Sequence, residues 1–417
     1  MSPDEGFPTF SKFIQSVQDA THVEHVSRPA SKVREAGDFD QMKQHVLNLY
    51  AGVEVQHSFV DDQGQVFDCV PIEQQPSLKG QPPANAPTPP QTEGGGEPEG
   101  GAQPVGPHLQ PEHRDRFGHA MTCPPGTIPM RRVTLDELSK YERLSDFFQK
   151  TPWGGRHPRL GGDEEPLGRM GITPGVHKYA HAYQVADNLG GASTLGVWAP
   201  GVGSQIFSLS QQWYAGGSPV QTVEIGWQVY PGKYNTTAPC LFIYWTADGY
   251  QHTGSYNLDS PGFVQTSTTY RLGGALSPVS VWGGAQYELE LHAFLYQGNW
   301  WLYVGGGSYQ QTIGYYPASL YGAGTLATHA SDVDFGGEVV DQTSWPPMGS
   351  GSFANTGWTH AAYHRDIQQY PTSGGGVQAS LTASQPSPDC FTIEVAHANA
   401  PWNEYFWFGG PGGAGCS

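Results

Sequence analysis

Hydrophobic and polar positions alternate one by one along much of the second half of the chain, the mark of half-buried strands. In Thr222-Val-Glu-Ile-Gly-Trp-Gln-Val-Tyr230, Val223, Ile225, Trp227 and Val229 share one face, while Thr222, Glu224, Gly226 and Gln228 share the other. The same reading predicts strands at Ser204–Tyr214, Leu241–Thr246, Gln286–Tyr296 and Trp300–Val304, with Ala247-Asp-Gly249 as a hairpin turn. Glu288 and Glu290 alternate with Leu289 and Leu291 and read as the wet face of one such strand. No helical period interrupts residues 177–417, so the pattern predicts an antiparallel β-sandwich there.

Upstream the period changes. Met42, Val46 and Leu49 form a helical stripe between Asp38, which can cap, and Gly52, which can stop, and Glu54–Val60 then alternates like a strand. Thr134 and Glu137 form a capping box ahead of Leu135, Leu138, Tyr141, Leu144 and Phe148, which trace one apolar helix face. Residues 1–151 are therefore expected to be a small α+β domain. Inside it, residues 76–111 hold ten prolines and seven glycines and read as a disordered linker. A second loose stretch, 152–176, connects to the β region.

Composition sharpens this picture. Charged residues are 14% of the 417, with 56 glycines and 35 prolines, which disfavours a helical bundle and suits strands joined by tight turns. The net charge of −18 argues against a nucleic-acid partner, which needs Lys and Arg to replace counterions. Residues 175–417 carry fourteen acids against four bases, a surface that gains little positive charge in acid. The start, MSPDEGFPTFSKF, shows no signal peptide, and no run of about 18 apolar residues suggests a membrane span. The five cysteines have no CxxC spacing; two disulfides with one free thiol, or five buried thiols, both fit. Asn235-Thr-Thr237 is a glycosylation sequon.

Familiar catalytic motifs are absent: there is no HExxH, no P-loop and no GxSxG. His22-Val-Glu-His25 has no third ligand nearby, so neither a metal nor a cofactor is implied. What remains are carboxylates set in apolar strands: Glu224, and Glu338 in Val333-Asp-Phe-Gly-Gly-Glu-Val-Val340, where two glycines would leave room for a ligand. Each glutamate taken alone also fits an ordinary solvent-facing strand residue. The aromatic content equally allows a noncatalytic β-sandwich module that binds carbohydrate or peptide.

Several segments, in order along nearly the whole chain, resemble the neprosin family of glutamic endopeptidases. They include Phe207-Ser-Leu-Ser-Gln211, Val223-Glu-Ile-Gly-Trp-Gln-Val-Tyr-Pro231, Tyr244-Trp-Thr-Ala-Asp-Gly-Tyr250, Gly314-Tyr-Tyr-Pro-Ala-Ser-Leu320, Gly336-Gly-Glu-Val339 and Tyr405-Phe-Trp-Phe-Gly-Gly-Pro-Gly412. Met42–Tyr50, Asp68-Cys-Val70 and Cys123-Pro-Pro-Gly-Thr-Ile-Pro129 are similar to the family's propeptide. The resemblance implies a sandwich of two bent sheets, catalytic glutamates at Glu224 and Glu338, and acid-active cleavage after proline in Pro-rich peptides or proteins. It also implies secretion as a zymogen, with the propeptide as intramolecular inhibitor and removal near Pro174-Gly175. Two neighbouring carboxyls suffice for the chemistry, because repulsion splits their titration so that one takes a proton from water and the other donates. Gln228, on the face of Glu224, is the candidate oxyanion donor, and Tyr244 a candidate substrate contact. The expected disulfides are Cys69–Cys123 and Cys390–Cys416, leaving Cys240 free. Ser255 and Ser260 stand where plant members carry a cysteine pair, which alters the loop that shapes substrate preference.

Overall fold

A computed structural model describes residues 6–88, 90, 101–104, 113–150, 177–305 and 311–416. In the N-terminal region three helices, α1 (Phe10–Asp19), α2 (His22–Val26) and α3 (Ala36–Leu49), pack beside a small antiparallel sheet. That sheet is β1 (His57–Val60), β2 (Val66–Pro71) and β4 (Thr127–Arg131), in the order β1-β2-β4; a two-residue strand, β3 (Gln103–Pro104), lies elsewhere. The α3 stripe buries Phe39, Met42, Val46 and Leu49. This helix starts two residues ahead of Asp38, which sits in the first turn rather than at the cap, where its charge still complements the helix dipole. The capping box forms, with Glu137 N donating to Thr134 Oγ1 (3.2 Å) and Thr134 N to the Glu137 carboxylate (3.0 Å). The single helix expected here is two short ones, α4 (Leu135–Leu138) and α5 (Leu144–Phe148). The break occurs because Arg143 is extended and its N–H donates to Asp146 at 3.1 Å, starting a new cap.

The main body is one continuous 16-stranded sheet, antiparallel except where β3 joins it, that folds onto itself. Its spine is β5 (His177–Gly196), 20 residues long. Residues 177–188 of β5 pair with β14 (Ala330–Val340), and this layer continues through β6 (Phe207–Gly216), β7 (Gln221–Val229), β8 (Cys240–Thr246) and β9 (Ser255–Tyr256). Residues 190–196 pair with β11 (Tyr287–Tyr296), which leads to β12 (Asn299–Val304), β13 (Gln311–Pro317) and β10 (Val264–Gln265). The same half of β5 pairs with β15 (Ala362–Pro371), flanked by β16 (Val377–Gln378) and the terminal hairpin of β18 (Thr392–His397) and β19 (Glu404–Gly409); β17 (Thr382–Ser384) borders the first half. A short turn of helix, α6 (Pro231–Tyr234), follows β7. The turn from one layer to the other is allowed by Gly190, with φ +126°, where a Cβ would lie 2.0 Å from the Ala293 carbonyl. Between the layers lies the core, with Val223, Ile225, Trp227 and Val229 from β7 and Trp300, Leu302 and Val304 from β12. Trp227 also donates its indole N–H to Gly196 O at 3.0 Å.

Disulfides join Cys69 to Cys123 and Cys390 to Cys416, while Cys240 is a buried thiol. Among the described residues no helix is long and apolar enough to cross a membrane.

Two local expectations change. Residues 247–254 form a longer loop rather than a tight hairpin, organised by the Asp248 carboxylate, which accepts from the backbone N–H groups of Gln251, His252 and Thr253 and from the Thr253 hydroxyl. Glu288 is not on a wet face: it is 6% exposed and holds Arg365 through two hydrogen bonds and the Tyr363 hydroxyl at 2.9 Å. The reason is its register partner on β5, Gly196, which has no side chain and lets Tyr363 and Arg365 reach across that strand.

Candidate active site

The face of β7 opposite Trp227 is turned away from the sandwich core. Glu224 lies on it, paired in register with Trp213 of β6 and Tyr244 of β8. Glu338 of β14 is paired with Leu209 of β6 and Tyr179 of β5. The glutamates are thus one strand apart on either side of β6, offset along it, with Gln211 between them. The register partners of Gln211 are Gly336 on β14 and Gly226 on β7, so no side chain stands directly opposite it on either neighbouring strand. Gly336 and Gly337 do not open a ligand space: a Cβ on Gly336 would strike Ala180 O at 2.5 Å, and one on Gly337 would strike Met348 and Phe408. They let β14 close against its neighbours, which brings Glu338 toward Glu224.

The carboxylates are 0% and 1% exposed. Between them sits the ammonium of Lys150, two residues beyond α5. It donates to Glu224 Oε2, to Glu338 Oε2 at 3.2 Å and to Gln211 Oε1 at 3.4 Å. The rings of Trp213 and Tyr244 also face it, with centroids 5.8 and 5.7 Å away. Burial alone would lower the Lys150 pKa, but the two glutamates outweigh it and hold it above the ordinary lysine value. Glu224 is further fixed by Gln211 Nε2 (3.0 Å), Thr222 Oγ1 (2.8 Å) and the Tyr250 hydroxyl (2.8 Å). Glu338 Oε1 has His177 Nδ1 at 2.5 Å and the Tyr179 hydroxyl at 3.4 Å. Burial first, then the nearby glutamates, push both tyrosine pKa values well up, so these hydroxyls remain neutral donors.

Lys150 is delivered by the docking of α5 on the β body. Lys233 Nζ donates to Phe147 O at 3.2 Å, lies 3.7 Å from the Phe147 ring centroid and pairs with Asp259 at 2.8 Å. Burial lowers the Lys233 pKa, although Asp259 pulls the other way.

The structure therefore brings Glu224, Glu338 and Tyr244 together. Gln228 lies elsewhere on the same face: its amide bonds the hydroxyls of Tyr256 (3.4 Å) and Tyr234 (3.3 Å). The amide beside the pair is Gln211, visible in sequence only as the end of Phe207-Ser-Leu-Ser-Gln211; the strand register that centres it is not. Nothing in the sequence singles out Lys150. Asn235 is exposed, but Nδ2 donates to Glu137 (2.8 Å) and Oδ1 accepts from Lys140, so its side chain helps bind the N-terminal region. Pro174 and Gly175 lie outside the described residues. Among the described residues no group of three or more His, Cys, Asp or Glu is arranged to hold a metal ion.

Residues 204–411 match the Neprosin family model. Solved structures with a similar arrangement include scytalido-glutamic peptidase with a peptide-based transition-state analogue, at 9% identity and a TM-score of 0.33, covering 57% of this chain and 98% of that one. The same peptidase with a transition-state analogue inhibitor gives 9% identity, a TM-score of 0.32 and coverage of 57% and 99%. SCP-B, a member of the eqolisin family of peptidases in a complex with the tripeptide Ala-Ile-His, gives 8%, 0.31, 57% and 98%.

Proposed function

Because the chain belongs to the neprosin family through residues 204–411, we propose that it is a glutamic endopeptidase that cuts on the carboxyl side of proline and is made as a secreted zymogen. The observation that carries this reading is that one ammonium touches a carboxylate oxygen of each glutamate, so Glu224 and Glu338 reach a common point. With Lys150 withdrawn, two buried carboxyls facing each other in acid share one proton. The ionised carboxylate takes a proton from water as the water oxygen attacks the peptide carbonyl carbon. The protonated carboxyl polarises that carbonyl and then gives its proton to the departing amide nitrogen. The Gln211 amide, already bonded to Glu224, is the group suited to hold the oxyanion, in place of Gln228. Tyr244, Tyr250 and Trp213 around the pair offer flat faces on which a proline ring stacks.

On this reading, residues 1–151 are the propeptide, 152–176 the processing connector with Pro174-Gly175 as cut site, and 177–417 the peptidase domain. Lys150 occupies the place that water and the scissile carbonyl need, which makes the intact chain latent. The two disulfides suit an oxidising, extracellular setting.

The test is incubation with a proline-containing peptide at about pH 3, within the carboxylate range, with products identified by mass spectrometry. Glu224→Gln and Glu338→Gln should each abolish most turnover, and together little more than either alone. Glu394→Gln, on an exposed stretch of β18, is the control. Near-normal turnover by either active-site variant, with its fold verified, would falsify the two-glutamate mechanism.

A further inference from the structure

We propose that His181, held by Asp334, is a substrate-binding residue that grips the main chain of the leaving fragment at the third residue after the cleaved bond. The inference rests on the peptidase reading and adds a subsite to it.

Strand register sets the residues of the site face in rows across the sheet. Gly226 of β7, Gln211 of β6, Gly336 of β14 and His181 of β5 form one row. Glu338 stands two residues to one side of it, opposite Leu209, and Glu224 two residues to the other, opposite Trp213. A peptide bond between the two carboxyls, with its carbonyl at the Gln211 amide, therefore lies on this row. An extended chain crossing the strands from there passes over glycine on either side. Tyr244 and Tyr250, whose rings suit proline, lie toward β8, so the leaving fragment runs the other way, over β14 and β5. Neighbouring strands are about 4.8 Å apart and an extended chain advances about 3.3 Å per residue, so His181, two strands on, faces the third residue of that fragment. The row continues to Ser384 of β17, where Thr382 and Ala383 are exposed, so a chain leaving along it comes out at the surface.

His181 belongs neither to the sandwich core, which its neighbours Ala180 and Ala182 join, nor to the glutamate pair. A Cβ on Gly336 would lie 2.8 Å from the His181 Cβ, so glycine there lets the imidazole sit against β14. Asp334 takes Nδ1 with its two oxygens at 2.8 and 2.7 Å, and the rings of Tyr179, Tyr183 and Trp213 surround the imidazole at 5.7, 6.2 and 6.4 Å. These contacts fix the ring plane and occupy Nδ1, while Nε2 has no hydrogen-bond partner among the described residues. A carboxylate on one ring nitrogen aims the other, and a protonated imidazole donates from both. The acceptor that every residue of a peptide offers is its main-chain carbonyl, so the contact reads fragment length rather than side chain. His181 and Asp334 are 3% and 2% exposed, as closed to solvent as the glutamates, so subsite and pair become available together.

The experiment uses the full chain after incubation at about pH 3, in the carboxylate range, and a peptide series with one acyl part ending in proline, followed by one to four alanines. The readout is the ratio of kcat/KM between longer and shorter members for the same preparation, which cancels general damage to the enzyme. In wild type, going from two to three leaving-side residues should raise kcat/KM about tenfold, the size of one hydrogen bond to a charged group. His181→Ala should abolish that step, and His181→Gln, whose amide nitrogen reaches about as far as Nε2, should keep most of it. Asp334→Ala should flatten the step nearly as much as His181→Ala, and the double variant should add little. Should these variants not fold, a three-alanine peptide whose third carbonyl is reduced to a methylene decides the matter on wild type: it should be cut no better than the two-alanine peptide. A step that persists in folded His181→Ala, or survives loss of that carbonyl, overturns the proposal and leaves the peptidase reading standing. A wild type that cuts no member of the series overturns both.

Discussion

Replacing Lys150 by methionine keeps most of the buried stem and removes the ammonium lodged between Glu224 and Glu338. At an effective dielectric of about 20, the Lys150–Glu338 pair at 3.2 Å contributes about 5 kcal/mol of Coulomb attraction, and the Glu224 pair a similar amount. Desolvating three buried charges takes back much of that, so the net loss on removing the ammonium is about 3–5 kcal/mol, the usual penalty for breaking a buried pair. The loss falls on the closed arrangement of the N-terminal region, since only there does Lys150 meet the glutamates. It should raise the fraction of open, intact chain by about a hundredfold or more, at 1.4 kcal/mol per factor of ten. The assay is turnover of a proline-containing peptide by full-length protein at about pH 5, just above the ordinary carboxylate range, with chain mass checked before and after. Lys150→Met should be active while still intact, Lys150→Arg much less so, and wild type latent. Equal latency of Lys150→Met and wild type, with equal rates of release in acid, would refute the idea that this contact holds the chain shut.

Three further outcomes are expected. Glu288→Ala should cost about 3 kcal/mol in urea unfolding, because it strands the buried Arg365 guanidinium, while leaving the pH profile of turnover unmoved. Asp248 is held below its ordinary pKa: burial opposes this, but the Thr253 hydroxyl and backbone N–H groups outweigh it, so its support of the Tyr250 loop is complete above about pH 4 and fades as pH falls through the folded value. Asp248→Asn should therefore lower kcat/KM severalfold at pH 5 and converge with wild type near pH 2, and a constant ratio across that range would count against the loop's role. Burial pushes the His364 imidazole down to about 3, so the unfolded chain binds a proton that the folded chain does not between about pH 6.5 and 3, and stability falls on acidification by up to about 1.4 kcal/mol per pH unit. His364→Gln should flatten that slope; an unchanged slope in pH-dependent urea melts would exclude His364 as its source.

Strand alternation carries far more of this molecule than its specific contacts. The nine residues from Thr222 to Tyr230 already separate Glu224 from Trp227, and Trp227 is indeed fully buried between the layers. The sandwich follows from such segments, because a two-residue period states which side faces the core. What a period cannot state is register across three strands, and that is what centres Gln211 rather than Gln228. Glu288 departs from its alternation for a related reason: the pattern puts it opposite Leu289, but the absence of a side chain at Gly196 lets Arg365 cover it. Residues 76–88 have no apolar period because they pack through single residues, Leu78 and Ala84 against the cluster of Trp301 and Tyr315, and through isolated backbone hydrogen bonds of Ala84 and Pro87. Lys150 was illegible because its partners lie 74 and 188 residues away.

The long strand β5 has a consequence for how the body can come apart. Its first half is bonded into the layer that holds Glu338, its second half into the layer of β11, β12 and β13, and no loop separates the two. The layers therefore have no seam between them. A protease nick or a circular permutation in the exposed turn at 372–375 should leave a functional body, whereas a break at Gly190 severs the backbone common to both layers. The two faces of the molecule are obliged to melt together, at one temperature, however differently they are dressed.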